Sequence, residues 1–271
     1  MPIPSPEDAL SRWEGFLGAA AVGPAGPLEA WGDVHASTRI ASVSKLVVAM
    51  ASLVAVEEGA IALSDAAGPP GATVEDLLAH ASGLAFDTAE VLAAPRTRRI
   101  YSNTGIERLT DHLAARAGMS WTTYVQDAVV TPLRMSATEL VGSPAHGIRS
   151  DVSDLCRFAG ELLAPTLVDP ETLADATTPH FPELDGVLPG VGPQRPNPWG
   201  LGFEVRGHKA PHWTGATNSP STFGHFGGSG TFLWLDPDLD LALVALGTRE
   251  FGPWALDVWP AFSDAVVARH G

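Results

Sequence analysis

Arg39-Ile-Ala-Ser-Val-Ser-Lys-Leu-Val-Val-Ala-Met-Ala-Ser-Leu-Val-Ala-Val, residues 39 to 56, is the stretch that decides the fold. From Leu46 to Val56 nearly every residue is apolar, and a helix without a polar face belongs in the interior of a protein. Its first turn nevertheless carries Ser42 and Lys45, which a spacing of three places on one face. The chain has only two lysines, Lys45 and Lys209, and the residues around Lys45 offer it no solvated face. A lysine in apolar surroundings has a lowered pKa, so its neutral amine can accept the proton of a serine hydroxyl. The unpaired N–H groups at the helix start favour developing negative charge. The plain alternative is a serine cap with a lysine one turn on.

Composition narrows the classes. A chain of 271 residues can bury one large core or two smaller ones, and 45% hydrophobic with 17% charged residues describes a packed protein. A net charge of −15 argues against nucleic acid and against an anionic membrane as partners, and Arg96, Arg98 and Arg99 form the one basic cluster. The single cysteine, Cys156, excludes an internal disulfide and reads as a small buried hydrophobe. The opening Met1-Pro-Ile-Pro-Ser-Pro lacks the basic and apolar regions of a secretory signal, and the Ser42 helix is too short and too charged at its ends to span a membrane. A cytoplasmic protein is expected. Oligomeric state leaves no mark in the sequence.

Outward from the central helix, residues 6 to 17 read as an amphipathic helix, and Ala19 to Val22 with Leu28 to Trp31 flank a hairpin turn, Gly23-Pro-Ala-Gly-Pro. Beyond Gly59, Ala67-Gly-Pro-Pro-Gly breaks the chain and Thr73 caps a short helix. Helical patterns follow at about 103–117, 120–130, 150–163 and 170–177. Phe181 to Pro198, rich in Pro and Gly, reads as a long loop that rims something. Gly200–Arg206, Gly230–Leu235 and Leu241–Gly247 are β-like, the last two joined by Asp236-Pro-Asp-Leu-Asp, and Trp254–Ala268 closes as a helix. The fold expected is α+β. An antiparallel sheet built from both ends of the chain, flanked by N- and C-terminal helices, forms an α/β part (1–62 and 198–271). An all-helical part (63–197) is inserted, and the site lies between the two.

Three further segments can carry chemistry. Tyr101-Ser-Asn-Thr-Gly opens a helix; Tyr101 can shuttle a proton for Ser42 as a phenolate favoured by Lys45, with the Asn103 amide on substrate or on Lys45, or the segment is a simple cap with a packed tyrosine. Gly224-His-Phe-Gly-Gly-Ser-Gly lies on or beside a strand edge, where glycine marks the close approach of a ligand or backbone, or a plain bulge. His80-Ala-Ser-Gly-Leu ends a helix with Gly83 suited to its C-cap. Metalloprotease, phosphate-loop, dinucleotide and nucleophile-elbow motifs are missing from the sequence.

In this order, Arg39-Ile-Ala-Ser-Val-Ser-Lys, Leu77-Leu-Ala-His-Ala-Ser-Gly-Leu, Tyr101-Ser-Asn-Thr-Gly, Ala117-Gly-Met-Ser-Trp, Ser150-Asp-Val-Ser-Asp-Leu, Trp199-Gly-Leu-Gly-Phe and His225-Phe-Gly-Gly-Ser-Gly resemble the serine β-lactamase and penicillin-binding protein superfamily over about residues 30 to 250, in its class C-like branch. The resemblance implies the β-lactamase/transpeptidase-like fold and Ser42 as an acylated nucleophile. It makes Lys45 and Tyr101 the proton-transfer pair, puts the backbone N–H groups of Ser42 and Gly228 in an oxyanion hole, and makes Asn103, His225, Phe226 and Gly227 substrate contacts. It implies no metal or cofactor. Where relatives carry Lys-Thr-Gly, this chain has His225-Phe-Gly, which weakens the case for carboxylate recognition. The expected activity is hydrolysis of a small ester or amide, esterase-like. The alternatives are β-lactamase or D-amino-acid amidase or peptidase activity, or, in another class, a ligand-binding relative without turnover.

Overall fold

The computed structural model describes residues 3–271. In chain order, helix α1 (Pro6–Leu10) precedes the hairpin β1 (Phe16–Gly23) and β2 (Gly26–Gly32), a short strand β3 (Thr38–Arg39), a 3-10 turn (Ala41–Val43) and helix α2 (Ser44–Glu57). The helices α3 (Val74–Leu78), α4 (Asn103–Ala117), α5 (Trp121–Val125), α6 (Val152–Leu163) and α7 (Pro170–Ala176) follow, with strand β4 (Arg149–Ser150) before α6. The chain returns through β5 (Gly186–Leu188), β6 (Gly192–Gln194), β7 (Glu204–Val205), β8 (Phe223–Gly227), β9 (Thr231–Asp236) and β10 (Leu241–Gly247) to helix α8 (Pro253–His270).

One six-stranded antiparallel sheet in the order β2-β1-β10-β9-β8-β7 joins the two ends of the chain. Because successive side chains of a strand point to opposite faces, Ala19, Ala21, Leu243 and Ala245 face one core, with Trp234, Trp259 and Phe262. Their neighbours Ala20, Val22, Val244 and Leu246 face the other, shared with α2, α4 and α6. Both faces are covered, so β8, β9 and β10 are buried along their whole length. Every residue of α2 from Ser44 to Ala55 is buried, as its unbroken apolar sequence requires.

Several boundaries differ from the sequence reading. The first helix stops at Leu10; Gly15 takes φ +77°, Trp13 turns into the core against Trp254 and Trp259, and β1 starts at Phe16. The segment 200–206 contributes only a two-residue strand, because Gly202 (φ +88°) packs on α2, where a Cβ would lie 2.3 Å from that of Ala49. The loop 181–198 contains the β5–β6 hairpin. Gly83 does not cap a helix: Ala79 does, and Gly83 (φ +84°) lets the loop at Ala93 pass within 2.0 Å of where its Cβ would be. Cys156 is buried as expected, and burial pushes its thiol up to about 12. Among the described residues, no helix is long and apolar enough to cross a membrane.

Candidate active site

The sequence places Ser42 in a helix; the structure puts it in the 3-10 turn just before α2. Ala41 takes φ +46°, a left-handed conformation that costs a residue with a Cβ and is held only by its surroundings. Those surroundings are the β8–β9 turn. Ser229 Oγ donates to Arg39 O at 2.6 Å and Thr231 Oγ1 to Ile40 O at 2.9 Å. Gly227 lies so close that a Cβ would come within 2.4 Å of Ile40 O. On the opposite side Ile40 N donates to Ile148 O at 3.0 Å and Ile148 N to Ser44 Oγ at 3.2 Å. The serine is therefore clamped between a sheet strand and the 143–148 loop.

Lys45 is wholly buried, and its Nζ contacts Ser42 Oγ at 3.4 Å, Asn103 Oδ1 at 2.6 Å and Ala145 O at 2.9 Å. Burial pushes the amine down to about 7, against the opposing pull of the Asp87 and Glu107 carboxylates. Two of its partners are carbonyl oxygens, which can only accept. A neutral amine that donates to both keeps its lone pair for the Ser42 hydroxyl.

Asn103, at the start of α4, is used at both ends of its amide: Oδ1 accepts from Lys45, and Nδ2 donates to Asp87 Oδ1 at 2.7 Å. Of the two roles open to it in the sequence, the geometry is that of a group holding Lys45. Tyr101 lies beside Ser42, with Lys45 Nζ 4.6 Å from the centre of its ring. Burial drives the phenol well above the ordinary tyrosine range, and the neighbouring Ser42 hydroxyl offsets only part of this. Its hydroxyl is buried without a well-formed hydrogen bond. Both observations run against a phenolate favoured by Lys45: the amine sits over the ring face, and burial favours the neutral phenol.

His225, on β8, has Nδ1 accepting from Phe226 N at 2.8 Å, which puts its proton on Nε2. Burial, with Lys45 nearby, lowers it to about 3, so this ring is neutral. His80 packs on the other side, its ring 4.7 Å from that of Tyr101 and its Nδ1 accepting from Ser102 N at 3.3 Å. Trp199 completes the surround at 5.7 Å. Behind Trp199, Glu204 is fully buried and accepts from Lys209 Nζ (2.7 Å), His212 Nε2 (2.9 Å) and Trp213 Nε1 (2.7 Å). Burial works to raise the Glu204 pKa, but Lys209 and His212 override it and leave the carboxyl well below its ordinary range. The second lysine of the chain is thus tied up and shielded.

A cleft of about 200 Å³ opens over these groups, lined by Ser42, Tyr101, His225, Phe226, Gly228, Phe86, Pro189, Gly190 and Phe251. Gly228 follows the last paired residue of β8 and is exposed at the cleft. Gly227 is sealed against the Ser42 turn. The structure thus brings Ser42, Lys45, Tyr101, Asn103, His225, Phe226 and Gly228 together around one cleft. Sequence reasoning left out Asp87, Ala145, Trp199 and the cleft walls Phe86, Pro189 and Phe251. Ala145 acts through its backbone oxygen and leaves no residue-type signal; Trp199 stood in a motif but without a role. Among the described residues no group of three or more His, Cys, Asp or Glu is placed to hold a metal ion.

The arrangement sets a buried amine with a lowered pKa against a hydroxyl at an open cleft. The family model described as Beta-lactamase matches residues 20–265, and the chain belongs to that family. Its fold and family are those of the β-lactamase and penicillin-binding-protein-like serine hydrolases. A β-lactamase (Mb2281c) from Mycobacterium bovis is 52% identical, with a TM-score of 0.96 over 98% of this chain and 99% of that one. Two more distant structures share the fold. They are a simvastatin synthase (LovD) mutant from Aspergillus terreus (16% identity, TM-score 0.77, 98% and 96% covered) and an octameric penicillin-binding protein homologue from Pyrococcus abyssi (16%, 0.77, 98% and 76%). None of the curated proteins compared with the chain matches it.

Proposed function

We propose that this protein hydrolyses a small ester or amide through an acyl-enzyme on Ser42. The observation that carries the reading is the buried Lys45 amine, poised at about 7 and 3.4 Å from the Ser42 hydroxyl, with its other directions spent on two carbonyl oxygens. Ser42 Oγ attacks the substrate carbonyl as its proton passes to Lys45. The backbone N–H groups of Ser42 and Gly228 receive the oxyanion; one such donor contributes about 3 kcal/mol in comparable sites. The Lys45–Tyr101 pair returns the proton to the leaving alcohol or amine, and the same pair then takes a proton from the water that cleaves the acyl-enzyme. Asn103 holds Lys45, the neutral His225 and Phe226 shape the wall, and Gly227, packed on the Ser42 turn, makes no substrate contact. The cleft lies between the part built from 1–62 with 198–271, which carries Ser42, Lys45 and Gly228, and the part 63–197, which carries Tyr101, Asn103 and Phe86.

The β8 wall favours esters over β-lactams, because neutral His225 and Phe226 supply neither a cation nor a hydroxyl for a substrate carboxylate, and Lys209 is bound to Glu204. The 52% identical β-lactamase from Mycobacterium bovis supports the second reading, β-lactam hydrolysis in the same cleft. Comparing p-nitrophenyl esters with a chromogenic cephalosporin decides between them. The ester should have the higher kcat/KM by at least about a hundredfold, and Ser42→Ala should abolish turnover of both. A reversed preference would make the protein a β-lactamase. Turnover that survives in Ser42→Ala would remove Ser42 from the chemistry.

A further inference from the structure

The Ser42 cleft is open at one side. Three of its walls, Phe86, Tyr101 and Pro189, also wall a larger lobe of about 350 Å³, completed by Leu92, Ile100 and Val187 with Arg98 and Arg99. The Arg99 guanidinium is turned away onto the carbonyl oxygens of Ala79, His180, Phe181 and Asn197. Apart from the exposed Arg98, what remains is largely apolar. Phe86, Leu92 and Val187 are 48%, 52% and 52% exposed, and they are three of the eight large hydrophobic side chains left in water among the described residues. Such side chains meeting at one concavity mark a binding surface.

The lobe is built from fixed elements. Arg99 N donates to Asp185 O at 2.9 Å, and a Cβ at Gly186 would lie 2.5 Å from Arg99 O, so β5 is laid directly beside the segment that carries Tyr101. At the hairpin turn, a Cβ at Gly190 (φ +69°) would come within 2.6 Å of the Phe251 ring, which walls the Ser42 cleft. The β5–β6 hairpin therefore forms one continuous wall along both cavities.

The geometry points to a hydrocarbon-chain subsite: the lobe takes a straight apolar chain of the substrate, on the order of eight carbons, while the scissile carbonyl sits at Ser42. This rests on the hydrolase reading above and extends it to a substrate class, esters with one medium-length alkyl chain. The chain can belong to the acyl or to the alcohol part, and the test separates these.

Hydrolysis is compared for p-nitrophenyl acetate against p-nitrophenyl octanoate, and for methyl acetate against octyl acetate, in wild type and in the double variant Leu92→Asp/Val187→Asp. Both positions are exposed and neither lines the Ser42 cleft. Wild type should prefer the long chain in at least one pair by about tenfold or more in kcat/KM, and that pair names the part of the substrate that enters the lobe. The double variant should lose this preference through KM while p-nitrophenyl acetate turnover stays within about twofold. In parallel, calorimetry with Ser42→Ala compares N-methyloctanamide and N-octylacetamide with N-methylacetamide. Tighter binding of either long-chain amide, lost on adding the two aspartates, supports the lobe even if wild type turns over no ester or amide, a result that would sink only the hydrolase reading. Equal kcat/KM for short and long chains in both pairs, or a preference untouched by the aspartates, overturns the subsite and leaves the Ser42 chemistry standing. With no turnover, equal binding of all three amides overturns it.

Discussion

At Lys45, burial and hydrogen bonding act on the same proton. Burial brings the amine to about 7, and Asp87 and Glu107 pull the other way. The neutral amine is the form that can accept the Ser42 proton, so the active form is lost as pH falls through about 7. The kcat/KM for ester hydrolysis should fall about tenfold per pH unit on the acid side of that value. Asp87→Asn keeps an acceptor for the Asn103 amide but removes a charge that favours the ammonium, so the acid limb should move to lower pH; a limb that stays or moves up would show that the titrating group is not Lys45. That Ser42 and Lys45 meet was legible in the sequence because a lysine in an apolar helix has so few explanations, whereas Tyr101 entered through the ordered set of motifs. The protonation state of Tyr101 was not legible, since it depends on the packing of His80, Trp199 and His225 around the ring, residues far apart along the chain.

Two elements meet at the nucleophile: the turn that opens α2 and the end of β8. Their contact is set by neighbouring glycines with opposite surroundings. A Cβ at Gly227 would lie 2.3 Å from Thr231 Oγ1 and 2.4 Å from Ile40 O, whereas one at Gly228 meets nothing within 4 Å. Gly227→Ala should therefore push the Ser42 turn off the sheet, lowering ester turnover and destabilising the fold by roughly 1–3 kcal/mol. Gly228→Ala should stay within about 0.5 kcal/mol of wild type. Urea titration checks both and p-nitrophenyl ester kinetics check Gly227→Ala; equal destabilisation at the two positions would refute the clamp. Helices α4, α6 and α7 matched their sequence signals within about two residues, because caps such as Asp151 and Asp169 act locally. The short β7 and the truncated α1 did not, because what ends them is tertiary: Gly202 against Ala49, and Trp13 drawn into an aromatic core.

At the scale of the whole molecule, the sheet joins β1 and β2 from one end of the chain to β7 through β10 from the other, with the helices between them covering one face. Strand character at both ends around a helical middle made this legible in the sequence. That the loop 181–198 rims a site was legible; the residues of 86–92 and 187–190 that meet there were not, since the two stretches carry no shared pattern and are brought together only by the fold. The net charge of −15 loads this compact body with self-repulsion, which salt screens. Raising ionic strength from low to near-physiological should stabilise it by on the order of 1 kcal/mol, a rise in Tm of roughly 2–4 °C by calorimetry. A Tm that falls with salt would show that attractive surface pairs, such as Arg269 with Glu7 and Glu29, outweigh the repulsion. The most direct test of the account is mass spectrometry of the intact protein and its peptides after exposure to a fluorophosphonate. A single adduct on Ser42, formed at least about a hundredfold more slowly in Lys45→Met, is the predicted result. No adduct, an adduct elsewhere, or a rate indifferent to Lys45 would contradict it.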